Sequence, residues 1–235
     1  MEFSLIINSI PSLLRGTVLT IQMLVMSLLL GMCLAIPLAI LRVQKNPLLW
    51  MPAHWYIYFF RGTPLLVQLF LVYYGLAQLE FVRESVLWLV LRRPFGCAIL
   101  TFILCTAGYT ANILRGGIEG VPYGEVEAAR AIGMSTALLY RRILLPRAFR
   151  LALPAYSNEV IGMLKATSLA STITILELTG IARVVVDKTF APYELFVAAA
   201  MIYLSITFVI TRLFNKLEYS LNPHMRPPPE RKTGE

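Results

Sequence analysis

The sequence predicts an all-α membrane protein with five transmembrane helices, its N-terminus outside and its C-terminus in the cytoplasm. Three observations lead to this fold class. The composition is strongly apolar, because 57% of the 235 residues are hydrophobic, only 14% are charged and the mean hydropathy is +0.69. Soluble domains are nearer half apolar and about a quarter charged. Five long apolar stretches follow one another along the chain, and Arg and Lys are distributed unevenly between them.

Each of the five stretches is long enough to cross a bilayer, since an α-helix needs about 20 apolar residues to span a hydrocarbon core of about 30 Å. They cover residues 17–41, 55–79, 95–114, 151–171 and 195–214. The first stretch is too long for a signal-peptide core and has no basic region before it, so we expect it to be retained as a span. The second contains Arg61-Gly62-Thr63-Pro64, where a proline close after a glycine should break or kink the helix.

The orientation follows from the positive charges in the connecting segments, because cytoplasmic loops carry an excess of Arg and Lys. One side receives Arg42, Lys45, Arg115, Arg130, Arg141, Arg142, Arg147, Arg150, Arg212, Lys216, Arg226, Arg231 and Lys232. The other side receives Arg15, Arg83, Arg92, Arg93, Arg183 and Lys188. We place the larger set in the cytoplasm, although residues 79–94 put three arginines on the outer side.

No Ser/Gly-rich linker divides the chain, so we expect one transmembrane domain over residues 1–220. The remaining segment, 221–235, has four prolines among charged residues and should be a disordered cytoplasmic tail. Residues 172–192 mix apolar and charged side chains, which predicts an amphipathic segment at the outer face. The net charge of +8 does not indicate nucleic-acid binding, because the cations separate by side of the membrane and form no basic groove.

Neither a catalytic centre nor a metal or cofactor site is predicted. Cys33, Cys97 and Cys105 all lie in apolar stretches without CxxC spacing, which is typical of small buried hydrophobic side chains. The two histidines, His54 and His224, lie far apart in a span flank and in the tail. The sequence therefore offers no metal cluster.

A polar, Arg-rich segment, residues 120–147, separates the third and fourth apolar stretches. It should begin with a helix from Glu125 to Ile132, whose first-turn carboxylates are favoured by the helix dipole. Gly133 is placed to end this helix in the left-handed conformation. Ser135 can then cap a second helix over 136–144, which we expect to end before Pro146. The two short helices would form a compact knob outside the bilayer.

The knob carries the sequence Glu127-Ala128-Ala129, then Gly133, then Ile143-Leu144-Leu145-Pro146, which resembles the EAA loop of ABC-importer permeases. Phe60-Arg61-Gly62-Thr63-Pro64-Leu65-Leu66-Val67-Gln68-Leu69 looks like the signature of the polar amino acid permeases within that family. Residues 157–160 and 164–170 resemble the matching stretch of the fourth span. The resemblance covers nearly the whole chain and is strongest to permeases for histidine, lysine, arginine and ornithine, or for arginine-derived opines.

The resemblance implies a type I ABC-importer permease, a multi-pass protein of the bacterial inner membrane. Two permeases, identical or homologous, would pair to form the path for a polar amino acid, with a basic one favoured. A pair of cytosolic ATPases would dock on the knob, and a periplasmic or extracellular amino-acid-binding protein would deliver the substrate. The chain has no GxxxxGK[ST] phosphate loop, so ATP would be bound by the partner subunits and this chain would not be an enzyme. The residues implied in ATPase coupling are Glu125, Glu127, Ala128, Ala129, Gly133 and Pro146.

Polar residues inside the spans are candidates for the substrate path, because a charge at a span centre costs roughly 2.5–3.5 kcal/mol and usually faces a bundle interior. The candidates are Arg61, Gln68, Asn158, Glu159, Lys165 and Ser168. The Glu159 carboxylate could hold the cationic end of a basic amino acid. The alternative is a structural carboxylate paired with Arg147, Arg150 or a neighbouring subunit.

Two further candidates have structural alternatives of their own. Lys165 shares a helix face with Asn158, whereas Glu159 points about 120° away from it, so no Glu159–Lys165 pair is expected. Lys165 could neutralise a carboxylate of the substrate or of the partner permease, or extend to the interface, and a structural role is favoured. Arg61 belongs either to a polar site at a broken span or to the cytoplasmic start of a shorter span beginning at Pro64.

Other functions remain open at the level of sequence. An ATP-independent amino acid channel or secondary transporter would use similar spans, and its knob would be an amphipathic hairpin on the lipid headgroups. An importer of the same class could carry glutamine or glutamate instead. A membrane enzyme of lipid metabolism is disfavoured, because no inward cluster of His, Asp or Glu lies at a membrane face.

Overall fold

The computed structural model describes residues 3–221, and every regular element in that range is helical. The longer helices are α1 (Phe3–Arg42), α2 (Pro47–Gly62), α6 (Pro94–Glu119), α7 (Tyr123–Ala131), α9 (Leu145–Ala166), α10 (Leu178–Thr189) and α11 (Pro192–Leu221). The shorter helices are α3 (Leu65–Phe70), α4 (Glu80–Arg83), α5 (Trp88–Leu91) and α8 (Thr136–Leu139). A π turn (Leu71–Gly75) and a 3-10 turn (Leu76–Gln78) extend α3, a π turn (Tyr140–Leu144) joins α8 to α9, and a 3-10 turn (Thr167–Ile173) extends α9.

Three helices within the described part of the chain, α1, α6 and α11, are individually long and apolar enough to cross a membrane. Two bent pairs meet the same criterion when each is taken together. One is α2 with the segment 65–78, bent by 103°, and the other is the segment 136–173 with α10, bent by 47°. The five predicted apolar stretches fall on these five elements, apart from Leu79, which lies just beyond the second.

The first helix begins at Phe3, well before the predicted start at residue 17. Its additional turns are covered on one side, where Leu13 is fully buried with residues of α10 and α11. The polar residues near this end do not interrupt the helix. The hydroxyls of Ser9 and Thr17 donate to the carbonyls of Leu5 and Leu13, each four residues earlier, as serine and threonine do inside helices.

The centre of the bundle is α6, which packs against α1, α2 and α9. Two-thirds of its membrane-length window is buried, a larger share than in α1 or α11. Its contact with α9 is close, because a Cβ added at Gly117 would lie 2.5 Å from the carbonyl oxygen of Ala148. This packing brings the side chains of α6 directly against the middle of α9.

The predicted break around Arg61-Gly62-Thr63-Pro64 is confirmed. Helix α2 ends at Gly62, Thr63 and Pro64 are extended, and α3 starts at Leu65 in a new direction. The segment before the break is more than an interfacial stretch, since Ala53 and Ile57 are buried and α2 packs on α1 and α6. Both halves therefore belong to the bundle.

The knob between α6 and α9 is folded largely as predicted. Helix α7 ends next to Gly133, whose φ is +78°, and Ser135 accepts a hydrogen bond from the backbone N–H of Leu138 at 3.4 Å. The expected stop before Pro146 is wrong, because the chain remains helical through it into α9. A proline ring normally clashes with the carbonyl four residues earlier, and the wider π turn just before Pro146 relieves that clash.

The segment between α9 and α11 is amphipathic, as predicted. Leu178, Gly180 and Ala182 of α10 are buried, whereas Arg183 and Lys188 are exposed. Helix α10 packs its buried face against α1 and α11.

The prediction that all three cysteines are buried is wrong for Cys33. Cys97 and Cys105 are buried on the central helix α6, but Cys33 is exposed on the outer side of α1. An apolar stretch alone does not reveal which of its faces is covered. The predicted tail, 221–235, lies outside the described residues except for Leu221, the last residue of α11.

Candidate functional site

A largely apolar pocket with one carboxylate lies between α6, α9 and the start of α3. Its volume is about 260 Å³, and it is lined by Leu65, Cys105, Tyr109, Glu159, Gly162, Met163 and Ala166. Three separate helices therefore contribute to its wall. Glu159 is the only charged residue among those lining side chains.

Glu159 is half-buried and has one hydrogen bond, which Thr106 of α6 donates from its hydroxyl to Oε1 at 3.1 Å. It forms no ion pair with any residue of the described range 3–221. One suggested structural partner, Arg147, is instead bonded to Glu125. Lys165 does not pair with Glu159, as predicted. The carboxylate thus faces the pocket with most of its hydrogen-bonding capacity unused.

Arg61, at the end of α2, does not line this pocket but a separate groove of about 520 Å³, together with Trp55, Tyr58 and Thr63. Its Cζ atom lies 5.4 Å from the centroid of the Tyr109 ring, within the range of a cation–π contact. Tyr109 also lines the pocket, so this residue contacts both Arg61 and the pocket. The approach is possible because α6 has Gly108 here, where an added Cβ would lie 3.2 Å from the Cβ of Phe60.

Lys165 and Ser168 lie apart from the pocket around Glu159. Both line a separate groove of about 460 Å³ between α9 and α11, together with Thr179 and Tyr203. The Ser168 hydroxyl donates to the carbonyl of Lys165 at 2.6 Å. Asn158 is exposed, as is Lys165. The structure therefore separates Lys165 and Ser168 from Glu159, and it brings Asn158 into neither site.

Gln68 is also placed outside the pocket wall. It is 4% exposed, and its Nε2 donates to Phe60 O, Thr63 O and Thr63 Oγ1 at 3.0, 3.1 and 2.8 Å. These partners all belong to the break between α2 and α3. Gln68 therefore contacts the backbone behind the pocket.

Sequence reasoning did not identify Thr106 and Met163 as residues of the site. A signal for Thr106 exists, because it is three residues before Tyr109 in an apolar helix and so shares a face with it. Nothing in the sequence indicated that this face would meet Glu159, which is 53 residues further along the chain.

A second candidate surface lies on the knob formed by α7, α8 and the start of α9. Arg147 binds Glu125 through two contacts, Nη2 to Oε1 at 2.7 Å and Nε to Oε2 at 3.1 Å. This pair ties α7 to α9 beside an open groove of about 480 Å³. The groove is lined by Glu125, Ala128, Ala129, Ile132, Arg142, Ile143, Pro146, Arg147 and Arg150.

Four of the six predicted coupling residues, Glu125, Ala128, Ala129 and Pro146, line the groove on the knob. The other two, Glu127 and Gly133, are exposed nearby and do not line it. Ile132, which sequence reasoning did not single out, is 78% exposed at its edge.

The structure has long apolar helices, a pocket between them with one carboxylate, and a helical knob at one end. These features are those of a membrane permease. The model of one family, described as "Binding-protein-dependent transport system inner membrane component", matches residues 27–222. The chain belongs to that family.

Its relatives include two permeases named for opines and one named for basic amino acids. It is 51% identical to the nopaline transport system permease protein NocM of Agrobacterium fabrum over 96% of this chain and 94% of the relative. It is 49% identical to the octopine transport system permease protein OccM of Rhizobium meliloti, over 92% and 88%. It is 44% identical to the histidine/lysine/arginine/ornithine transport system permease protein HisM of Escherichia coli K12, over 90% of each.

The fold matches solved structures of importers. A crystal structure of an amino acid ABC transporter with histidines contains a chain with a TM-score of 0.82 and 30% identity, matched over 94% of this chain and 99% of that one. A chain of the inward-facing MetNI methionine ABC transporter has a TM-score of 0.78 at 17% identity, over 91% and 98%. The second likeness shows the fold alone, which is that of a type I ABC-importer permease.

These findings define the general function. The chain is a permease subunit of an ABC importer, and it is not an enzyme, because the ATPase of such systems is a separate subunit. The ATP-independent channel and the secondary transporter are thereby excluded. Family membership implies ATPase and binding-protein partners and a place in a membrane.

Proposed function

We propose that this chain forms half of the translocation path for a basic amino acid or an arginine-derived opine, and that Glu159 holds the cationic group of the substrate. The observation that carries the proposal is a carboxylate without an ion pair among residues 3–221, facing a pocket between α6 and α9. The relatives named for nopaline, octopine and histidine/lysine/arginine/ornithine support the substrate class.

The neighbouring groups fit a ligand with a positive end and a carboxylate. A guanidinium or ammonium group bonded to Glu159 would form a charge-assisted hydrogen bond, stronger than a neutral one. Thr106 holds Oε1 by a hydrogen bond and leaves Oε2 for the ligand. Tyr109 is already in contact with the Arg61 guanidinium, 5.4 Å from its ring, and this guanidinium is a positive group beside the pocket that a substrate carboxylate would approach.

The knob is the part that we assign to ATPase docking, with Ala128, Ala129 and Pro146 in its groove. In this arrangement a pair of cytosolic ATPases binds ATP, and this chain itself carries no cofactor. Their closure would move the knob and shift the permease between outward- and inward-open packings. The Glu125–Arg147 pair would transmit this movement from α7 to α9.

The proposed topology has five spans in the bacterial inner membrane, with the N-terminus outside and the segment 120–147 and the C-terminal tail in the cytoplasm. The excess of Arg and Lys on that side supports it. A second permease, identical or homologous, would complete the path, and a periplasmic or extracellular binding protein would deliver the substrate.

The test of the substrate class is Glu159→Gln, assayed by the initial rate of arginine and glutamine uptake in the assembled importer. Arginine uptake should fall at least about 10-fold more than glutamine uptake, because the hydrogen bond to a charged partner is worth about 1.5–3 kcal/mol. An increase in the rate of glutamine uptake by the variant would agree with the same role.

The matched control is Glu177→Gln. Glu177 is fully buried and accepts hydrogen bonds from Gly180 N at 2.8 Å, Tyr203 OH at 2.9 Å and Thr20 Oγ1 at 3.3 Å. Its replacement should reduce the uptake of both substrates alike. Equal loss of the two substrates in Glu159→Gln would make Glu159 a structural residue, and selective loss of glutamine uptake would favour a neutral cargo.

A further inference from the structure

The sequence at the break between α2 and α3 leaves one backbone carbonyl without its usual hydrogen-bond donor. In a continuous helix, the carbonyl of Phe60 accepts from the backbone N–H of residue 64. Residue 64 is proline, which has no N–H. The carbonyl of Phe60 is instead bonded by the side-chain Nε2 of Gln68, at 3.0 Å. Gln68 therefore supplies the donor that Pro64 lacks.

The same amide group fixes the extended residue between the helices. Nε2 of Gln68 lies 3.1 Å from Thr63 O and 2.8 Å from Thr63 Oγ1. The Thr63 hydroxyl donates its own hydrogen to Phe59 O at 2.8 Å, so it accepts from Gln68. All three neighbours of Nε2 are acceptors, which determines the orientation of the amide. Its other atom, Oε1, is buried and has no hydrogen-bond partner among residues 3–221.

One of the two segments that Gln68 joins contributes to the pocket wall, and the other places Arg61 beside it. Helix α2 is anchored on α6, where the hydroxyl of Tyr56 donates to Leu104 O at 2.7 Å. It ends with Arg61 beside Tyr109. Helix α3 begins with Leu65, which lines the pocket opposite Glu159 and Tyr109. The 103° bend at Thr63 and Pro64 determines how Arg61 and Leu65 are placed relative to each other.

We propose that Gln68 is a positioning residue for substrate recognition, which holds the break bent and so keeps Leu65 in the pocket wall and Arg61 beside Tyr109. The inference rests on the function proposed above for that pocket. Gln68 does not itself contact the substrate in this arrangement. It acts through the backbone carbonyls of Phe60 and Thr63.

The test combines Gln68→Leu, Pro64→Ala and the double variant, each in the assembled importer. Gln68→Leu leaves two carbonyls without their donor, so the importer should lose thermal stability and its KM for arginine should rise about 5- to 10-fold. Its kcat should change much less, because the knob is untouched. Gln78→Leu is the matched control, since Gln78 is exposed in the turn that follows α3.

The double variant separates positioning from simple stabilisation. Alanine at position 64 restores an N–H for the carbonyl of Phe60, but it also allows the helix to continue straight. The expected result is that thermal stability recovers while the KM for arginine stays high. Recovery of both would show that Gln68 only stabilises the fold and would overturn the proposal. If Gln68→Leu does not assemble, Gln68→Glu fills the same space with at most one donor and should show the same rise in KM.

A spin-label distance measures the bend between α2 and α3 independently of any transport assay. Spin labels at Met51→Cys and Tyr74→Cys, both exposed positions, are placed in a Cys33→Ser background, and the labelled chain is diluted with unlabelled chain. At 1.5 Å per residue, the labels should lie about 20 Å apart across the bend and about 35 Å apart along a straight helix. The mean distance between the labels should lengthen in the double variant, and the distribution of distances should broaden in Gln68→Leu.

An unchanged distance in Gln68→Leu would overturn the proposal, whatever the transport result. A lengthened distance with an unchanged KM would also overturn it, because the bend would then not serve recognition. Failure of the pocket assignment has a different signature. In that case Glu159→Gln loses arginine and glutamine uptake equally, while the distances still report whether Gln68 holds the bend.

Discussion

Glu159 and Glu177 show how differently two glutamates can be accommodated in one helical bundle. Glu177 is fully buried and accepts from a backbone N–H and two hydroxyls on three different parts of the chain. Glu159 is half-buried and accepts from Thr106 alone. A buried carboxylate is costly unless it is fully hydrogen-bonded. The first therefore suits a structural junction, and the second retains capacity for a ligand.

Glu125 and Arg147 make an ion pair whose energy should be small in isolation. Their side chains are 33% and 41% exposed, and solvent screens such pairs to about 1 kcal/mol or less. In a double-mutant cycle of Glu125→Ala and Arg147→Ala, measured by thermal unfolding, we expect a coupling free energy of about 1 kcal/mol or less. This coupling should decrease as salt is added. The Arg115–Glu119 pair is the control within one helix. Strictly additive losses would mean that the pair does not hold α7 to α9.

The helical elements follow local sequence signals wherever the relevant partner is near in the chain. Gly133, Ser135 and the Gly62–Pro64 break are recognisable because they act on backbone groups within a few residues. Pairings such as Thr106 with Glu159 or Arg147 with Glu125 depend on how helices cross, which no local pattern specifies. The continuous helix through Pro146 has the same origin, because its π turn is stabilised by packing of Leu144 in the core.

Gly133 joins the two helical parts of the knob in a conformation that other residues adopt with difficulty. Its φ of +78° costs an L-residue roughly 1–2 kcal/mol, and a β-branched side chain is worse. Gly133→Val should therefore distort the knob and reduce ATP-driven uptake while the chain still inserts. Gly124→Ala is the control, since Gly124 has free space and no positive φ. Unchanged uptake by Gly133→Val would show that the turn is not required for coupling.

On the scale of the whole importer, the knob is the surface that should recognise another subunit. Glu127 is exposed on α7 beside the groove, so Glu127→Lys reverses a charge on that surface without removing a contact within the chain. We expect the ATPase co-purified with the tagged permease to fall to less than about a tenth, because a cationic group of the ATPase that pairs with the Glu127 carboxylate would then face a like charge.

Glu84→Lys provides the comparison for Glu127→Lys, since it makes the same exposed charge reversal in the segment between α4 and α5. Mass spectrometry of the same samples identifies the partner subunits, including whether a second permease sequence is present. Full recovery of the ATPase and normal uptake in Glu127→Lys would remove Glu127 from the docking surface.

Residues 136–173 form one helical rod, which contains a π turn at Tyr140–Leu144 and prolines at 146 and 154, and its 47° bend toward α10 comes only beyond Ile173. Pro146 of the knob and Glu159 of the pocket stand thirteen positions apart on that rod, about 20 Å by helix rise. Pro154 lies between these two positions, and the helix continues through it. Because Pro146 and Glu159 belong to one continuous helix, a displacement of the knob should also move a wall of the pocket, so that motor and cargo are mechanically linked.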